Sequence, residues 1–153
     1  MEVNSYPAIN EIKKRLSIFP ELPLVQEGNS IFIEPKDSNG FKVILDDNKT
    51  EFVLFCDGWS YELFTNSEIT ARAFILALTS AARLLVREKK QQRYWWLLET
   101  CLNNKWGGIE VTFRPGKFHT FAKKKIYYLQ NDWIDIEKLK PWIGEECTPE
   151  RIV

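Results

Sequence analysis

The stretch TNSEITARAFILALTSAARLLVREKK, residues 65–90, decides how the rest of the chain is organised. Thr65 and Glu68 stand three apart, the spacing of a capping box, with Asn66 as a rival cap. The spacing predicts one long helix over 66–90. Ile69, Ala73, Leu76, Ala77, Ser80 and Leu84 form its core-facing stripe, and Glu68, Arg72, Thr79, Arg83 and Arg87 lie toward the other side. Ala71, Ala73, Ala77, Ala81 and Ala82 are small enough to let a helix pack closely on a sheet. Arg87, Lys89 and Lys90 fall near its C-terminus, where the macrodipole favours cations.

Toward the N-terminus the segments are short and extended. Ser30–Pro35, Phe41–Leu45, Glu51–Cys56 and Trp59–Phe64 read as an antiparallel meander, with Asp57-Gly58 a strong hairpin signal. Residues 7–17 read as a short amphipathic helix. Pro7 suits its first turn, Ile9, Ile12 and Leu16 share one face, and Pro20 and Pro23 end it.

Toward the C-terminus a second meander follows. Arg93–Cys101 turns at Asn103-Asn104 into Gly108–Arg114, and Pro115-Gly116 turns into Lys117–Ala122. Ile126–Gln130 is the last strand, and Asp132 caps a short helix ended by Pro141. The expected fold is therefore α+β. Antiparallel meanders of about seven to eight strands pack against one long central helix, with short N- and C-terminal helices, in a single domain over 1–153.

Charge is segregated along the chain although the net charge is zero. Residues 1–68 hold twelve acidic and six basic residues, 69–125 three acidic and twelve basic, and 126–153 six acidic and three basic. Such a field bears on partners rather than on fold. The six Trp, five Tyr and ten Phe must mostly serve a core. The longest apolar run, Ala73–Leu78, is far short of the roughly 20 residues of a membrane span. No basic-then-apolar leader opens the chain, so a cytoplasmic protein is expected. Cys56, Cys101 and Cys147 are widely spaced, which reads as three reduced thiols. With one histidine and no C-x-x-C, neither a metal site nor a cofactor is expected.

Register sharpens the site. Centring one hairpin on Asn103-Asn104 and the next on Pro115-Gly116 puts Tyr94, Trp96, Leu98, Ile109, Val111, Phe113, Phe118, Thr120 and Ala122 on the core face. The opposite face then carries three rows: Arg93, Arg114, Lys117; Trp95, Thr112, His119; and Leu97, Glu110, Phe121. A bulge at Gly107-Gly108 would exchange the faces. Three cations in one row repel unless something compensates, and an anionic ligand would do so. Alternatively, the acidic N-terminal half covers this face and pairs with Arg93 and Arg114. The run Lys123, Lys124, Lys125 reads as a solvated loop or a charged sheet edge, with phosphate contact as the functional alternative.

Catalytic signatures are lacking: no P-loop, dinucleotide glycine motif, H-E-x-x-H or G-x-S-x-G occurs. Any histidine chemistry must use His119; Glu110 is its diagonal neighbour, whereas Cys101 lies on the opposite face in this register. Asp46-Asp47 looks like a carboxylate pair but reads as turn chemistry. The expected function is a non-catalytic binding domain for an acidic protein surface. Its site comprises Arg93, Trp95, Arg114, Lys117, His119, Lys123, Lys124 and Lys125. The alternatives are single-stranded RNA, DNA or a nucleotide on the same basic, aromatic face, or a small hydrolase or transferase using His119.

Overall fold

The computed structural model describes residues 5–102, 105–114 and 123–139. Helix α1 (Pro7–Leu16) is followed by the five-stranded meander β1 (Val25–Glu27), β2 (Ser30–Ile33), β3 (Val43–Asp47), β4 (Phe52–Cys56) and β5 (Trp59–Phe64). Helix α2 (Ser67–Leu76) leads to a second antiparallel sheet. Its strands are β6 (Ala82–Lys89), β7 (Gln92–Leu102), β8 (Lys105–Phe113) and β9 (Lys124–Leu129), in the order β8-β7-β6-β9.

The expected long central helix does not exist. Residues 66–90 break into a ten-residue helix and an eight-residue strand. Thr79 marks the break: its hydroxyl donates to the Leu76 carbonyl at 2.8 Å and accepts the Ala81 N–H at 3.1 Å. Beyond it, period two replaces period 3.6. Ala82, Leu84 and Val86 are buried, while Arg83, Leu85 and Arg87 alternate with them. Pairing on both sides, with β7 and β9, satisfies backbone groups that a solitary helix would have satisfied internally. The hairpin turn at Lys90–Gln91 has φ of 49° and 64°, a left-handed pair more usually built from Asn-Gly. That unusual turn chemistry hid the strand.

Other elements are closer to expectation. Asn66, the rival cap, is the N-cap of α2, its side-chain oxygen accepting the Ile69 N–H at 2.9 Å. The first meander matches the four expected segments, with β1 added across a Gly28-Asn29 turn in which Gly28 has φ 60°. Among the described residues the sheets hold nine strands, rather than the expected seven or eight. At the C-terminal end only a 3-10 turn, Ile136–Leu139, stands among the described residues. Asp135 accepts the Glu137 N–H there, whereas Asp132 pairs with Lys36.

The inner face of the first sheet (Ile31, Ile33, Val43, Leu45, Phe52, Leu54) is buried together with Ile9 and Ile12 of α1 and Phe74 and Ile75 of α2. Asp47, fully buried at the end of β3, accepts the Ala8 and Ile9 N–H groups at 2.8 and 3.1 Å. It supplies the cap that α1 lacks locally, since Tyr6 makes no side-chain cap bond. Asn131, also buried, donates to the carbonyls of Phe41 and Ala77 and so ties the chain after β9 to both layers.

The two sheets meet where β5 faces β7 and β8. Trp59 Nε1–H points at the carbonyls of Ile109 and Glu110, each 3.0 Å away. The Ser60 N–H donates to Thr112 Oγ1 at 3.1 Å. Glu110 (φ 51°) is a bulge residue: pairing runs Leu98 with Ile109, then Leu97 with Val111.

Candidate functional site: the cationic end and outer face of the second sheet

The bulge decides which side chains point where. Up to Ile109 the expected register holds. Beyond Glu110 the faces of β8 exchange, so Thr112 stands opposite buried Trp96 on the inner side. Val111 and Phe113, expected in the core, stand opposite Leu97 and Trp95 on the outer side and are 45% and 65% exposed. The bulge anticipated at Gly107-Gly108 lies two residues further on.

A second irregularity, between Arg87 and Glu88, brings Arg93 opposite Glu88. Arg93 Nη1 lies 3.0 Å from Asp57 Oδ2, which also accepts the Trp96 Nε1–H at 2.8 Å. Arg93 Nε–H donates to the Tyr127 hydroxyl at 2.9 Å, and that hydroxyl donates to Glu88 Oε1 at 2.8 Å. Partial burial works against the Arg93 charge, but the contacts to Asp57 and Tyr127 outweigh it and hold the guanidinium above its ordinary range. Burial, then the bond to Glu88, pushes the Tyr127 phenol up.

Arg114 joins Arg93 in a polar cleft of about 460 Å³, lined also by Asp57, Gly58, Gln92 and Trp96. Its guanidinium lies 5.6 Å from the Trp96 ring centre, and it forms no ion pair among the described residues. Among the described residues, the acidic N-terminal half reaches this cleft through Asp57, which engages Arg93, and no acidic group pairs with Arg114.

Lys124 and Lys125 begin the edge strand β9, opposite Lys89 and Glu88, and Lys123 precedes them; all three are exposed. The strand ends thus gather Lys89, Lys90, Arg93, Arg114 and Lys123–Lys125 at one end of the sheet. Lys117, His119 and Phe121 lie outside the described residues, as does the Pro115-Gly116 hairpin.

Trp95 separates from Arg93 and Arg114. It faces outward beneath Arg87, whose guanidinium is 4.0 Å from the indole centre and whose Nε is buried without a hydrogen-bond partner among the described residues. Register extends this outer face as two rows: Phe113, Trp95, Arg87, Ile126 and Val111, Leu97, Leu85, Tyr128. Ile126 and Tyr128 are 55% and 37% exposed. Arg83, bonded to Glu99 at 2.6 Å, lies against the rings of Trp106 and Tyr128 and closes one margin. Arg87, Phe113, Val111 and Ile126 were not among the expected site residues. Alternation in 83–87 was the signal that could have revealed them, once read as strand.

The thiols of Cys56 and Cys101 are both buried. Burial, then neighbouring Asp57, pushes the Cys56 thiol far up, so it is not a nucleophile at neutral pH. Among the described residues no group of His, Cys, Asp and Glu is placed to hold a metal ion, and no helix is long and apolar enough to cross a membrane. The chain matches no family model, no curated protein and no solved structure.

Proposed function

We propose that this chain is a non-catalytic interaction domain that binds an acidic protein surface. The outer face of the second sheet and its cationic end act together. The observation that carries this reading is the continuity of the two: the apolar row from Phe113 to Ile126 runs, two residues further along β6 and β9, directly into Lys89 and Lys124. An exposed apolar patch rimmed by charge is the anatomy of a protein interface. Complementary acidic groups on the partner would meet the cations, steer encounter and fix orientation.

A protein suits this face better than a single-stranded nucleic acid. Its centre is aliphatic (Val111, Leu97, Leu85, Ile126), whereas base stacking needs open aromatic faces. Arg87 already covers Trp95. The cations cluster at one end rather than tracking along a groove.

The test pairs two measurements on the whole chain. Affinity capture from nuclease-treated lysate is compared for wild type, Phe113→Asp and Lys124→Glu, and fluorescence anisotropy is run with labelled single-stranded RNA across a salt series. The expected result is an acid-rich protein captured by wild type and lost in both variants, with no tight RNA binding. Micromolar RNA affinity with a steep salt slope would overturn the protein reading in favour of nucleic acid.

A further inference from the structure

Helix α2 is apolar on two faces, one fully buried and the other only partly covered. Thr70, Ala71, Phe74 and Ile75 are buried. Ile69, Ala73 and Leu76 instead line a cavity of about 440 Å³ between α2, β5 and the inner face of the second sheet. These three belong to the stripe that the sequence assigned to helix–sheet packing. Because the helix stops at Leu76 and the chain turns into β6, no further helical turn fills the space. Tyr61 and Phe64, edge to face with centres 4.7 Å apart, form the opposite wall, and Leu98 and Ile109 the floor. The cavity is on the inner side of the second sheet, away from the outer face described above.

Its volume falls in the range of small-molecule sites, roughly 300–1,000 Å³, and its walls are nearly all apolar. Charge enters the lining at one place. Arg72, exposed on α2 beside Ile69, is the sole charged residue lining it among the described residues. Arg72 forms no ion pair or hydrogen bond among them. Ile69 is itself 56% exposed, an apolar side chain left in water next to that cation. An apolar hollow with one unpaired guanidinium among its lining residues complements a ligand with an apolar body and one singly charged planar acid group. A carboxylate matches the guanidinium fork with two parallel hydrogen bonds, and a doubly charged phosphate would leave charge uncompensated.

We infer that the cavity between α2 and the second sheet binds a lipophilic monocarboxylic acid, with the apolar body against Tyr61, Phe64 and Leu98 and the carboxylate on Arg72. Binding would cover Ile69 and complete the burial of Ala73 and Leu76, which folding leaves only partly covered.

Calorimetric titration with octanoate and with 1-octanol tests this on the whole chain. Wild type is expected to bind octanoate saturably at one site. Arg72→Gln is expected to weaken octanoate by about tenfold and leave octanol unchanged, the scale of one charge-assisted contact. Ala73→Phe fills the hollow and removes binding of both ligands. Ile69→Asp, at an exposed position that tolerates substitution, removes one apolar contact and also repels the carboxylate, so it weakens octanoate more than octanol, and the inference does not hang on Ala73→Phe folding. No saturable octanoate binding to wild type overturns the site. Equal effects of Arg72→Gln on octanoate and octanol overturn the assignment of the carboxylate to Arg72.

Discussion

Trp96 donates its indole N–H to Asp57 Oδ2 at 2.8 Å while its ring lies flat against Gly58. A Cβ built on Gly58 would sit 2.1 Å from the Trp96 ring. Glycine is needed at 58 for this close approach rather than for its backbone angles. The Asp57-Gly58 hairpin of the first sheet is thereby the seat on which the second sheet rests. Gly58→Ala should destabilise the fold by about 1–3 kcal/mol, since a methyl group cannot enter without moving a buried indole. Equilibrium urea unfolding would show the shifted midpoint, and an unchanged midpoint would mean the two sheets do not bear on each other there.

Asp47 caps α1 from 38 residues away, accepting the N–H groups of Ala8 and Ile9 on one oxygen and of Lys49 on the other. Asp47→Ala leaves those donors without their acceptor in a buried place and should cost about 2 kcal/mol. Asp47→Asn keeps one carbonyl oxygen and should cost less. Hydrogen exchange at the first turn of α1 would report the same ranking residue by residue.

The Lys90–Gln91 turn holds two non-glycine residues at positive φ. Gln91→Gly relieves that conformation at an exposed site and should raise stability by up to about 1 kcal/mol. A rise in thermal midpoint would support the strand–turn–strand reading of residues 82–102, and a marked loss would contradict it.

Cys56 makes stability fall at alkaline pH. Burial raises its thiol above the ordinary value of 9.0, so the unfolded chain loses this proton first. The contribution is therefore complete below about 9 and is lost as pH rises from there toward the raised value, by up to about 1.4 kcal/mol per pH unit. Comparing wild type with Cys56→Ala isolates it from the lysines and tyrosines that titrate nearby. The variant should show the flatter profile between pH 8.5 and about 10.5, even though its stability at neutral pH is lower.

Much of the first half of the chain is legible in its residue pattern. Alternating apolar positions specify β2 to β5, because a sheet with one buried face needs period two, and Pro7 with Ile9, Ile12 and Leu16 specifies α1. The gathering of cations is legible too, as a segment between acidic ends. The fate of residues 65–90 is not. Their small and apolar residues satisfy a helical stripe and, from Ala82 onward, an equally good strand alternation.

Local pattern alone determined where charge lies, where the first meander runs and that an apolar stripe begins at Ile69. Tertiary structure decided that β6 is a strand, because neighbours on both sides complete its backbone hydrogen bonds. It also decided which face of β8 is open. One extra residue at Glu110 turns every later side chain over, and that residue is held where the Trp59 indole meets the Ile109 and Glu110 carbonyls from the other sheet. A contact between residues fifty positions apart leaves no trace in the spacing of either segment.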